Sequence, residues 1–230
     1  PEIVEYVASP LDTAFGFGRC RVIFHMGGTV VFDDGILNPA KMLVSIKQHH
    51  CNAIAGDSAI CILLLKYFKK HLEALADKFR WIKIASQPLT AGYKEMLLNM
   101  MPHAKIFMNY GLTEAMRCTI NHIGAVKGKI ESTGRACPGV QVMAVDDSDR
   151  AVPHSHVGEI KVKGVNLAYG YWGKKELWNA VCRDGWFHTG DLGYIDGDGY
   201  LYIVGRKDDL VNIGGRKVAP DEVEELIAPH

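Results

Sequence analysis

At 230 residues the chain is long enough for one large domain or two smaller ones, and 48% hydrophobic with 23% charged residues is an ordinary globular balance. Its 26 basic residues equal its 26 acidic ones, which argues against a nucleic-acid or anionic-membrane partner, since both select a basic surface excess. The six cysteines, Cys20, Cys51, Cys61, Cys118, Cys137 and Cys182, form no Cys-x-x-Cys pair, so free thiols in a reducing cytosol are expected rather than a disulfide framework. The apolar run AICILLL is too short to span a bilayer. The absence of an initiator Met, and an end at Ala228-Pro229-His230 straight after an apparent helix, lead us to expect a piece of something longer.

In chain order, the first half alternates strand and helix signals. RVIFHM (21–26) and GTVVF (28–32) are β-rich and separated by Gly27-Gly28, so both read as strands. Asn38-Pro39 supplies an N-cap and a first-turn proline for a helix over 40–50. CNAIAG (51–56) reads as a short buried strand. Asp57 or Ser58 then caps a helix over 59–79, whose apolar residues recur at helical spacing. RWIKIAS (80–86) reads as a strand, TAGYKEMLLNMM (90–101) as a helix stopped at Pro102, and AKIFMNYG (104–111) as another strand. Such alternation predicts a largely parallel sheet with helices packed on it.

From about Gly128 the pattern changes to short alternating strands: VQVMAVD (140–146), GEIKVKG (158–164) and GYLYIVGR (199–206), broken by Gly, Pro and Asp. Trp186-Phe187 and Leu192–Ile195 both look like buried strand, with Thr189-Gly190-Asp191 as a bare charged step between them. Asp198-Gly199 is a hairpin turn signal. This half predicts a small antiparallel barrel or sandwich. KDDLVNIGGRK (207–217) reads as a hinge, and Pro220 starts a helix over 220–228 with acids in its first turn. The expected organisation is an α/β part over 1–127, a β-barrel over 128–205, and a hinge with the beginning of a further domain over 206–230.

Chemistry is expected where strands end, because ligands of open α/β sheets lie beyond the carboxyl ends of the strands. In MNYGLTEA (108–115), Asn109 and Tyr110 end a strand and Gly111 lets the backbone turn. An aromatic there can stack on a base, Thr113 can bond a phosphate oxygen, and the Glu114 carboxylate suits Mg2+. The competing reading is a strand end followed by a Thr-capped helix. IKIASQPL (82–89) offers Ser86, Gln87 and Pro88 at a second strand end, with Gln87 suited to an adenine edge; a plain Ser-x-Pro loop fits as well. Asp191, flanked by glycines, can accept two hydrogen bonds from a ribose diol, or can be a turn Asp. Arg206 can donate to ribose or phosphate, and Lys207, Asp208 and Asp209 form a polar stretch where a chain can pivot or simply be solvated. GAVKGK lacks P-loop spacing, IDGDG lacks the remaining ligands of a calcium loop, and His49-His50 and His154-x-His156 read as surface histidines.

The order of these motifs carries more than any one of them. NYGLTEA, STGRACPGV, GEIKVKG, YGYW and the run from Trp186 to Glu225 together resemble the adenylate-forming superfamily, which includes acyl- and aryl-CoA synthetases, peptide-synthetase adenylation domains and beetle luciferases. The resemblance implies an α/β fold: a parallel sheet with flanking helices, then a small antiparallel β-barrel, then the start of a C-terminal lid. It implies activation of a small carboxylic acid by Mg-ATP to an acyl-adenylate, then thioester formation with coenzyme A as co-substrate, in the cytoplasm and within fatty acid metabolism. By the same resemblance Tyr110 stacks on adenine, with Asn109, Gly111 and Ser86 to Pro88 beside it. Thr113 touches phosphate, Glu114 holds the magnesium, Asp191 grips the ribose hydroxyls and Arg206 assists. Asp208 is the lid hinge, Gly215 lines the pantetheine tunnel and Arg216 lies near coenzyme A or phosphate. Phe15 and Phe17 are candidates for the acyl pocket, although the histidine usual before that aromatic is not found. The Ser/Thr/Gly-rich phosphate loop and the lid lysine are also missing, so the expectation is a portion of a synthetase, inactive by itself. A non-catalytic nucleotide-binding or scaffolding protein, and an acyl-AMP ligase that loads a carrier protein, are the alternatives. No nucleic acid or integral membrane segment is implied, and homo-oligomerisation is left open.

Overall fold

A computed structural model describes residues 2–33, 38–85 and 89–209, together with the backbone of 211–213 and 216–218. The chain divides into two compact units, one of residues 1–113 with 120–131, the other of residues 114–119 with 132–230.

The first unit contains β1 (Val4–Ala8), α1 (Ala14–His25), β2 (Thr29–Val31), α2 (Pro39–Gln48), β3 (Ala53–Asp57), α3 (Ser58–Tyr67), α4 (Lys69–Glu73), β4 (Trp81–Ala85), α5 (Ala91–Met100), β5 (Lys105–Tyr110) and most of β6 (Thr119–His122). Strands lie in the order β2-β1-β3-β4-β5-β6, and β1 to β5 are parallel. The order reverses between β1 and β3, as in doubly wound sheets. Tyr6, Val7, Ala8, Ala53, Ala55 and Ile106 are wholly buried, which suits strands covered on both faces. Met42 and Ile46 of α2, Leu64 and Leu65 of α3, and Leu97 of α5 complete that core. The helices begin where short polar side chains satisfy free N–H groups. Asn38 Oδ1 accepts from the Lys41 amide at 3.2 Å with Pro39 in the first turn, and Asp57 Oδ1 accepts from Ile60 at 2.9 Å.

Two expectations are corrected here. Arg21–Met26, read as a strand, forms the second half of α1 and its C-cap. The Thr13 hydroxyl starts that helix by accepting from the Gly16 amide at 3.0 Å, and Gly16, Cys20 and Ile23 then fall on one buried face. Arg19 on the same helix is buried against Glu5 of β1, with Nε to Oε1 at 2.8 Å and Nη2 to Oε2 at 2.6 Å, and the Trp81 indole donates to Glu5 Oε2 at 2.7 Å. Tertiary burial thus overrides the β-propensity of Val22-Ile23-Phe24. The single helix expected over 59–79 breaks at Phe68 into α3, α4 and a 3-10 turn over Ala76–Lys78.

The second unit contains β7 (Arg135–Ala136), β8 (Val140–Val145), β9 (Gly158–Gly164), α6 (Lys175–Val181), β10 (Cys182–Arg183), β11 (Trp186–Ile195) and β12 (Leu201–Arg206), then a hairpin of β13 (Val211–Ile213) with β14 (Arg216–Val218). Its main sheet is antiparallel and curled into an open half-barrel, in the order β8-β9-β11. Both β10 and β12 pair with β11, the first at Trp186-Phe187 and the second from Asp191 to Ile195. Ile160, Val162, Phe187, Thr189 and Asp191 are buried, the period-2 pattern of a sheet with one covered face. The Asp198-Gly199 turn is present: Asp196 Oδ1 accepts from the Asp198 and Tyr200 amides, and Gly199 has φ +81°. The helix expected over 220–228 lies outside the described residues. Among the described residues no helix is long and apolar enough to cross a membrane, and all six cysteines are free.

Candidate functional site

In the first unit the carboxyl end of β5 presents Asn109 and Tyr110. Asn109 is buried and its amide oxygen has no hydrogen-bond partner among the described residues, a costly state for a polar atom unless a ligand donates to it. Tyr110 is half-buried, and Gly111 and Thr113 are exposed. No helix follows Thr113. The chain instead bends, with Arg117 at φ +57° and Ala115 bridged to Leu167, so the Thr-capped helix is not formed. Ser86, Gln87 and Pro88 lie outside the described residues. Phe15 and Phe17 are not brought together. Two positions apart on α1 they take different faces, Phe15 half-buried and Phe17 59% exposed. Thr13, just before them, is used as the helix cap.

In the second unit the Thr189-Gly190-Asp191 step does not interrupt a strand; β11 runs through it. Gly190 adopts φ +73°, and the pairing with β9 slips between His188 and Leu192, a bulge that glycine permits. The Thr189 hydroxyl bonds the Ile160 carbonyl at 2.7 Å and accepts from the Asp191 amide at 3.0 Å. Asp191 is thereby held at 7% exposure, in register with Arg206, whose Nη1 is 3.6 Å from Oδ1. A buried carboxylate beside a half-exposed guanidinium can accept from a sugar diol while the arginine donates. Lys207 follows directly. Its amide donates to the Gly190 carbonyl at 2.7 Å, and its ammonium bonds Asp147 at 3.1 Å and Glu159 at 3.2 Å. Those two bonds, Asp147 first, hold its pKa above the usual lysine value. Asp208 is exposed. Gly215 is outside the described residues, and Arg216 is described only as backbone at the start of β14.

Glu114 also belongs to the second unit, half-buried, with its carbonyl accepting from the Ala168 amide at 2.8 Å. The Tyr171 hydroxyl donates to Glu114 Oε1 at 2.5 Å, and that bond to the carboxylate pushes the phenol up to about 12. Tyr171 stands edge-on to Trp178 with centroids 5.5 Å apart, and Trp178 lies against Phe187 at 5.5 Å. Tyr171 and Trp178 were not assigned from sequence; Tyr171 lies in the YGYW motif (169–172), but Trp178 lies six residues beyond it and nothing local marks the two as partners. The second oxygen of Glu114 accepts no hydrogen bond among the described residues. One carboxylate suits Mg2+, which keeps most of its waters and is commonly held by one or two carboxylates plus substrate phosphates.

Residues 4–172 match the model of a family described as AMP-binding enzyme. The chain belongs to that family. Among curated relatives it is similar to a long-chain-fatty-acid–CoA ligase of Bacillus subtilis, 33% identical over 84% of this chain and 34% of that protein. It is also similar to an oxalate–CoA ligase of Saccharomyces cerevisiae, 31% identical over 98% of this chain and 41% of that protein. Among solved structures, an O-succinylbenzoate coenzyme A synthetase of Bacillus subtilis in complex with ATP and magnesium ion matches 99% of this chain and 47% of its own, with a TM-score of 0.84 at 26% identity. The chain therefore spans less than half the length of each of these relatives. Within this chain, Asn109 to Glu114 lie inside the span that matches the family model, whereas Asp191, Arg206 and Asp208 lie beyond it.

Proposed function

We propose that the chain carries adenosine-binding residues of an AMP-forming acid–thiol ligase. In the first half-reaction a carboxylate oxygen attacks the α-phosphorus of ATP and pyrophosphate leaves, giving an acyl-adenylate. In the second the sulfur of coenzyme A attacks the acyl carbon, the acyl–oxygen bond breaks, and AMP leaves with the electron pair. As in other phosphoryl transfers, the protein's part is positioning and charge neutralisation.

Tyr110 offers a ring face for adenine, and the orphaned Asn109 oxygen suits its exocyclic amine. Asp191 accepts from the ribose hydroxyls and Arg206 donates beside it. Thr113 presents an exposed hydroxyl for a phosphate oxygen. Glu114 would hold Mg2+, which when bound would neutralise charge on the phosphates. Asp208 serves as the pivot, just after a strand whose end is pinned through Lys207. For Gly215 and Arg216 the coenzyme A role rests on the family resemblance alone, and Phe15 is the candidate for bordering the acid. The free thiols suit action in the cytoplasm. The 1–127, 128–205 and 206–230 divisions are proposed as the acid-and-adenine side, the barrel and the lid.

The observation that carries this reading is the Asp191–Arg206 pair on adjacent strands: a carboxylate buried at 7% exposure with a guanidinium in register beside it. Calorimetric titration with AMP tests it, comparing the native protein with Asp191→Asn; equal affinities refute the ribose role. The competing reading is nucleotide binding without turnover, which the orphaned Asn109 oxygen and the Asp191–Arg206 pair would serve equally well. Pyrophosphate release against a panel of aliphatic and aromatic acids separates the two.

A further inference from the structure

We propose that Tyr171 is a positioning residue for the Glu114 carboxylate, and that the Tyr171–Trp178–Phe187 aromatic series ties that carboxylate's orientation to the strand that carries Asp191. The inference rests on the metal role proposed above for Glu114.

A glutamate side chain has three free torsions, and fixing them costs conformational entropy. A half-exposed glutamate left to itself would aim at a cation only part of the time. Here both ends of the residue are held by one loop. The backbone is held by the Ala168 amide on the Glu114 carbonyl and by the Ala115–Leu167 bridge. Asn166 Nδ2 adds a bond to the Met116 carbonyl at 3.2 Å. The side chain is held by Tyr171, three residues beyond Ala168, which occupies Oε1 and leaves Oε2 to a ligand. Partners of this kind, bonded to a ligating carboxylate from outside, set its direction and typically change metal affinity 10- to 100-fold when removed.

Tyr171 is itself 37% exposed and needs a support. Trp178 of α6 supplies it, meeting the phenol ring edge-on at 82°. Gly170 brings the loop backbone onto the same indole: a β-carbon there would lie 3.7 Å from the Trp178 ring. Trp178 in turn rests on Phe187, which is 4% exposed and sits on the covered face of β11 four residues before Asp191. Edge-to-face and offset ring pairs of this type stabilise beyond their burial, because the positive edge of one ring meets the negative face of the other. Metal carboxylate and sugar carboxylate thus share one rigid base.

The test is calorimetric titration of the full-length protein with AMP, which needs no metal, and with ATP at low and saturating Mg2+. Tyr171→Phe removes the hydroxyl and keeps the ring. It is expected to leave the AMP affinity within twofold of native while cutting the gain in ATP affinity on adding Mg2+ by about 10-fold or more. Trp178→Leu is expected to cut the same gain by a smaller factor. If Tyr171→Phe weakens AMP and ATP alike, the residue only supports the fold and the inference fails. If Tyr171→Phe keeps the Mg2+ gain while Glu114→Gln loses it, the inference fails and the metal role of Glu114 survives. If both variants keep the gain, the metal role fails and takes the inference with it.

Discussion

At the scale of single residues, burial decides which polar groups carry chemistry. Asp191 is kept from bulk water by its place on the covered face of β11, and a ligand that hydrogen-bonds a buried charge gains about 1.5–3 kcal/mol per bond. Asp191→Asn is therefore expected to weaken AMP binding by about 10- to 100-fold, read as the calorimetric dissociation constant. Lys94 shows burial acting on a cation. It is 2% exposed on α5, its ammonium donates to the Ile130 carbonyl at 2.8 Å, and desolvation lowers its pKa to about 8, with Glu131 pulling the other way. Unfolded, the same lysine titrates near 10.5. Between those values the unfolded chain binds the extra proton, so stability rises with pH across that window. Urea midpoints should show the native protein gaining on Lys94→Met as pH rises from 8 to 10; a constant difference refutes the depressed pKa. Sequence alone marks Asp191 through its glycine neighbours. It does not mark Lys94, because nothing local distinguishes a lysine that will be buried from one that will be solvated.

At the scale of elements, local signals held and competing ones failed. The Asn38-Pro39 and Asp57 caps were legible because the hydrogen bond that starts a helix lies within three residues of the cap. α1 was hidden because its β-branched second half reads as strand, and its helical state depends on Glu5 and on a close approach to the preceding loop. A β-carbon at Gly16 would lie 2.2 Å from the Pro10 carbonyl oxygen, so only glycine fits. Gly16→Ala is expected to cost about 1–3 kcal/mol, which lowers the melting temperature by several degrees and is measurable by circular dichroism. β11 was half legible. Its two apolar ends were plain, but their continuity through Thr189-Gly190-Asp191 depends on a bulge against β9, a pairing between distant segments. The Glu114–Tyr171 bond was illegible for the same reason, since 57 residues separate its partners.

For the whole molecule, alternation of strand and helix foretold the parallel sheet, and the change of pattern near Gly128 foretold the antiparallel one. The strand order β2-β1-β3-β4-β5 was not foretold, because crossover direction is set by packing rather than by any one segment. The thiols report on that packing. Cys20, Cys51, Cys61 and Cys118 are buried while Cys137 and Cys182 are partly open, and burial pushes Cys51 up to about 11 and both Cys61 and Cys118 up to about 12. Since the thiolate is the reactive species, an aromatic disulfide reagent should titrate two thiols quickly in the native protein and four more only in guanidinium. Four fast thiols would contradict the described core. The double edge of β11 has a last consequence, for inheritance. Phe187 and Asp191 share a face only because four residues separate them, so inserting or deleting one residue in that interval would turn one of the two outward. Length variation among descendants of this gene should collect in the turn at 196–200 and be absent from 187–191.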